Sequence, residues 1–118
     1  MVKPIYASQE HKAIIESYIY TCQEFAKEVS SKSRYNNYLD VLDTIVEYHN
    51  SYGSGTSENN WYDWLVIIPI NVSVMTNGFF AGLETNNNRA IIRAYKTVLN
   101  EMVRETVDKI DNLEEPSE

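Results

Sequence analysis

WYDWLVIIPINVSVMTNGFFAGL, from Trp61 to Leu83, decides how this chain is read. It holds both tryptophans, two of the three phenylalanines and the longest apolar run in the sequence. Ile70, Val72 and Val74 alternate as in a strand, and the run is rich in β-branched residues. Pro69 lies inside it, which argues against a central strand, and no second run of comparable quality offers itself as a pairing partner. The favoured reading is therefore a buried helix, bent or broken at Pro69, capped by Asn60 and stopping near Gly78 or Gly82. The alternative is an α+β fold with one hairpin around 65–75, or a strand pairing across a dimer.

The flanking segments carry clearer helical patterns. On the N-terminal side, 1–7 reads as an extended lead-in containing Pro4, and Ser8 is positioned to cap a helix with Glu10 in its first turn. Ile15, Tyr18, Cys22, Phe25 and Val29 recur every three or four residues, a stripe widened by Ile14 and Ala26. Ser30–Ser33 is a polar break, and Ser33 is placed to cap the next helix. There Tyr35, Tyr38, Leu39, Leu42, Ile45, Val46 and His49 share one face, while Asp40, Asp43 and Glu47 share another nearly opposite. Asn50–Asn60, with its glycines, hydroxyls and amides, reads as a long loop.

Beyond the central stretch, Glu84–Asn88 is a second polar break. A last helix follows from about Arg89 toward Asn112, with Ile92, Tyr95, Val98, Leu99, Met102, Thr106 and Ile110 on one side. Residues 113–118 form an acidic tail expected to fray. Four helical segments with short breaks predict one all-α domain over 1–118, a small four-helix bundle.

Composition narrows the chemistry. The 118 residues carry 10 Lys plus Arg against 17 Asp plus Glu, a net charge of -7 that disfavours nucleic acid and anionic membranes and favours basic partners. Cys22 is the single cysteine, so an internal disulfide and a four-cysteine zinc site are ruled out. The chain start lacks the apolar core of a signal peptide, and the expected location is the cytoplasm. Neither His11 nor His49 sits in a spacing that places two metal ligands on one helix face. No Walker loop, dinucleotide fingerprint or nucleophile elbow is present, and Gly53–Ser57 resembles a phosphate loop in composition alone. No catalytic residue, cofactor or metal is assigned. Trp64–Leu83 has the length of a bilayer span, but Pro69, Asn71, Ser73, Thr76 and Asn77 interrupt it and acids flank it, so it is assigned to a protein core.

Two features remain. Nine tyrosines are more than packing requires; Tyr48, Tyr52, Trp61 and Tyr62 bracket the long loop and are expected to form one aromatic interaction patch. The second is a pair of acidic stripes, Asp40, Asp43 and Glu47 on the second helix and Glu101, Glu105 and Asp108 on the last. The last helix also sets Arg89, Arg93 and Lys96 near its start and its acids near its end, against the macrodipole preference.

These features predict a non-enzymatic helical protein-binding module, an adaptor or inhibitor that blocks a basic or nucleic-acid-handling protein by presenting acids where phosphates would lie. Small viral anti-defence proteins are comparable in size and charge alone. A small-ligand sensor or carrier, with a pocket near Trp61, Trp64, Phe79 and Phe80, is the alternative. An enzyme built on Cys22 and His49 ranks last, and direct nucleic-acid binding through Arg89, Arg93, Lys96 and Arg104 would be weak and salt-sensitive. A homodimer packed on the apolar centre is compatible with each of these readings.

Overall fold

A computed structural model describes the backbone over 9–54 and 61–112, and the side chains of residues 10, 13–48, 66–110 and 112. Among the described residues it is an all-α bundle of four helices: α1 (Gln9–Val29), α2 (Lys32–Ser54), α3 (Trp61–Leu83) and α4 (Arg89–Asp111). The expected caps at Ser8 and Asn60, the 1–7 lead-in and the 113–118 tail lie outside the described residues.

The periodic stripes become the core. Ile15, Tyr18, Cys22 and Ala26 of α1, Tyr38 and Leu42 of α2, and Ile92, Leu99 and Ile110 of α4 are buried around Ile68, Val72, Phe80 and Leu83 of α3. Replacing any large member by Ala should cost about 2–5 kcal/mol, from lost transfer energy and an unfilled cavity. Val98 departs from its predicted place: it is 42% exposed, and Val103 packs against the core instead.

α3 packs on every other helix and α1 packs on α3 and α4, whereas α2 and α4 barely meet. The bundle therefore has α1 and α3 on its inner diagonal and α2 and α4 at opposite corners.

The structure decides between the alternatives left open for α3 and moves one boundary and one cap of α2. α3 is one helix through Pro69 and is not broken there. Pro69 leaves the Leu65 carbonyl without its helical donor, a penalty of about 3 kcal/mol in a helix interior. Burial of Ile68 and Val72 on either side of it works in the opposite direction. Of the two expected stops, Gly82 is the one observed: α3 runs through Gly78 and ends at Leu83. α2 continues to Ser54, so Asn50–Ser54 belongs to the helix and not to the loop. Finally, the cap of α2 is Ser31 and not Ser33: the Arg34 amide donates to Ser31 Oγ at 3.4 Å and the Tyr35 amide to the Ser31 carbonyl at 2.9 Å.

The α3–α4 turn is held by Asn88. Its Oδ1 accepts from the Thr85 amide at 2.6 Å and the Thr85 hydroxyl at 2.8 Å, and its amide donates to the Leu83 carbonyl at 3.0 Å. Asn88 thus closes the end of α3 rather than capping α4, whose N-terminus has no side-chain cap bond. α4 is tied to α1 by the stacked pair Phe25 and Tyr95, 4.1 Å apart, and by the Tyr95 hydroxyl donating to the Glu28 carboxylate.

Candidate functional site

The acids of the α2 stripe recur at i, i+3 and i+7, which returns them to one side of the helix. Asp40, Asp43 and Glu47 are all exposed, on the side away from buried Tyr38 and Leu42. Among the described residues none of the three enters an ion pair. The ridge spans seven residues, about 10 Å at 1.5 Å per residue, or roughly one charge per 5 Å. That is somewhat sparser than the ~3.4 Å per charge of a single phosphate strand.

Glu101, Glu105 and Asp108 are likewise exposed. Their surroundings differ, because Arg104 and Lys109 stand within one turn of them on the same helix. No Lys or Arg occurs anywhere from Tyr35 to Asn88. The acids of α2 therefore have no cation within one turn on their own helix, whose Lys32 and Arg34 stand at its start, while those of α4 are interleaved with cations. Since α2 and α4 occupy opposite corners, the two ridges do not combine into one surface.

The charge order at the start of α4 has a local cause. Arg89 Nε lies 3.3 Å and Arg93 Nε 3.5 Å from Glu84 Oε1, so both guanidiniums close on the acid that begins the α3–α4 turn. Two of the four cations considered for nucleic acid are thereby paired.

Of the expected aromatic patch, Tyr48 is 63% exposed on α2, with Thr44, Ile45, Asn71, Val74 and Met75 lining a shallow recess beside it. The side chains of Tyr52, Trp61, Tyr62 and Trp64, and of both histidines, lie outside the described residues. Toward the other end of the α2–α3 seam is a second groove of about 400 Å³, lined in part by Arg34, Val41, Met75, Gly78, Phe79 and Gly82. Phe79 thus borders open space, whereas Phe80 is fully buried and fills the core.

Cys22 is enclosed in the core of the bundle. It is fully buried, and desolvation raises its thiol from the ordinary 9.0 to about 11. Among the described residues, its neighbours are the hydroxyls of Tyr18, Tyr38 and Thr76. Tyr38 Oη and Thr76 Oγ1 are hydrogen-bonded at 2.9 Å. Tyr18 Oη, close to Cys22 and Ser73, meets neither in hydrogen-bonding geometry and is left unpartnered. Burial drives both phenols upward. Among the described residues, no three His, Cys, Asp or Glu converge as metal ligands would.

Comparison with protein-family models, with curated proteins and with solved structures finds no match.

Sequence reasoning did not resolve which residues form the outer face of α3. Ile67 is 41%, Ile70 43% and Val74 68% exposed, and Asn71, Gly78, Ala81 and Gly82 are exposed among them. The apolar centre is not sheathed on all sides: Val66–Leu83 has the length and apolarity of a membrane span, and 39% of it is buried.

Proposed function

We propose that this chain is a non-enzymatic protein-binding module whose working surface is the acidic ridge of α2, presented to a basic site on a partner protein. The observation that carries the reading is the set Asp40, Asp43 and Glu47: exposed, on one side of one helix and without ion pairs among the described residues. Complementary fields of this kind steer encounter and select partners by charge. The ridge of α2 is preferred to that of α4 because Arg104 and Lys109 dilute the latter. Inhibition of a nucleic-acid-handling partner, by occupying a groove built for phosphates, is the concrete form this takes. Tyr48, one residue beyond Glu47 and 63% exposed, adds an aromatic anchor at the ridge's end.

The test is affinity capture from the source organism with the wild-type chain and with D40K/D43K/E47K, followed by mass spectrometry. The reading expects a basic partner retained by the wild type, released by salt and lost on reversal, with helicity by circular dichroism unchanged. Equal capture by both chains refutes it.

A further inference from the structure

The outward face of α3 is anomalous for a surface helix. Across Ile67, Ile70, Asn71, Val74, Gly78, Ala81 and Gly82 it exposes no charged side chain, in a chain of net charge -7. Gly78 and Gly82 sharpen the anomaly. A Cβ built on either meets nothing within 4 Å, so nothing in the single chain's packing calls for glycine. Gly78 lies in the helix interior, where glycine is less favourable than alanine, and Gly82 lies in the last turn. A pair four residues apart on one face is what lets a second helix approach closely.

The face is also self-complementary. Its bulk, Ile70 and Val74, lies toward the N-terminal half, and its notches, Gly78 and Gly82, toward the C-terminal half. We infer that α3 is the interface of an antiparallel, two-fold symmetric homodimer, with Val74 seated on Gly78 of the partner subunit and Ile70 on Gly82 of the partner subunit. One axis at the level of Thr76 satisfies both pairs at once, as an isologous contact requires. A parallel arrangement instead sets bulk on bulk and notch on notch.

Charge and area select a second copy as the occupant. Two chains of net charge -7 repel, and this face lets them meet without desolvating a carboxylate. The groove beside it is bordered by a single charged side chain, the cation Arg34, while Asp40, Asp43 and Glu47 point elsewhere. Val41 at 48% and Tyr48 at 63% extend the apolar surface onto α2. With Ile67, Ile70 and Val74 these side chains expose on the order of 500 Å² before the smaller residues between them are counted, approaching the ~800 Å² per partner of a standard interface. Apart from Tyr48, which borders both surfaces, the proposal is independent of the acidic ridge: a dimer with an idle ridge, or a monomer with a working one, is each distinguishable by its own test.

The test combines sedimentation with register-specific cross-linking. Wild type should sediment as a dimer at micromolar to submillimolar concentration, and V74K as a monomer with an unchanged circular dichroism spectrum. I70C and G82C, each expressed alone and then mixed and oxidised, should form a disulfide-linked heterodimer. Each alone should not, because residues 70 and 70, or 82 and 82, would stand about 18 Å apart along the axis at 1.5 Å per residue. Cys22 is buried and contributes no background. Cross-linking of I70C or G82C alone as readily as in the mixture overturns the antiparallel register. Wild type that stays monomeric overturns the dimer, and a monomer that co-sediments with phosphatidylcholine vesicles reassigns the face to lipid. If I70C fails to fold, the sedimentation of wild type and V74K decides.

Discussion

Tyr18 and Tyr38 are both almost fully buried in the middle of the bundle, yet removing their hydroxyls should have different effects. Tyr38 Oη shares a 2.9 Å hydrogen bond with Thr76 Oγ1. Tyr38→Phe keeps the ring and its contact with Phe79, 4.7 Å away between centroids. What is lost is a hydrogen bond with a net value of about 1 kcal/mol, and Thr76 is left with a buried hydroxyl that costs about 1–3 kcal/mol when unsatisfied. Thr76 can recover part of this by turning its hydroxyl toward the Val72 carbonyl one turn earlier. The expected loss for Tyr38→Phe is therefore about 1–3 kcal/mol, and Thr76→Val should fall in the same range. The double variant should cost less than the sum by about 1 kcal/mol or more, because neither partner then remains orphaned. Tyr18→Phe removes a buried hydroxyl without a partner, so it should be neutral or stabilising by up to about 1 kcal/mol. Urea unfolding of the five proteins supplies all the numbers. Additive losses for Tyr38→Phe and Thr76→Val, or a Tyr18→Phe variant as damaged as Tyr38→Phe, would refute this account of the core.

Other perturbations follow from the same geometry. Alkaline pH should weaken the fold through Cys22: its folded-state pKa is raised to about 11 from 9.0, so its contribution is complete below pH 9 and is lost as pH rises toward 11, by up to about 3 kcal/mol. Tyr18 and Tyr38 act in the same direction above pH 10, and Cys22→Ala should flatten the first part of the decline in a pH series of urea melts. Asn88→Ala removes three hydrogen bonds from the α3–α4 turn and should cost about 1–2 kcal/mol by thermal melting. Glu84→Gln should change stability by less than about 0.5 kcal/mol, since both of its guanidinium partners are more than half exposed.

Periodicity made α1, α2 and α4 legible, because each has a polar side that contrasts with its buried stripe. Ile15, Tyr18, Cys22, Leu42, Ile92 and Leu99 were placed in the core by spacing alone, and all are buried. The end of α2 was not legible: Asn50, Gly53 and the serines have loop composition, yet the helix carries on to Ser54. The helix α3 was legible as an element, but its exposed side was not. A helix apolar all round carries no signal for which side faces its neighbours, and the default is burial on every side. Three neighbouring helices cover only part of it, so Ile67, Ile70 and Val74 stand outside. The Tyr38–Thr76 tie left only a faint trace, Ser73 and Thr76 three residues apart in an apolar run. The apparent conflict between the charges of α4 and its dipole was a matter of range: Glu84, just before the helix, meets Arg89 and Arg93.

The acidic stripes were visible in sequence, but their relation to each other was not. Spacing placed each on one side of its helix; the corner positions of α2 and α4 separate them and make them independent candidates. Parallel capture with D40K/D43K/E47K and with E101K/E105K/D108K therefore tests the functional reading most directly. Loss of the partner from the α2 variant alone is the predicted result, and a partner that stays with the α2 variant but leaves the α4 variant would contradict it.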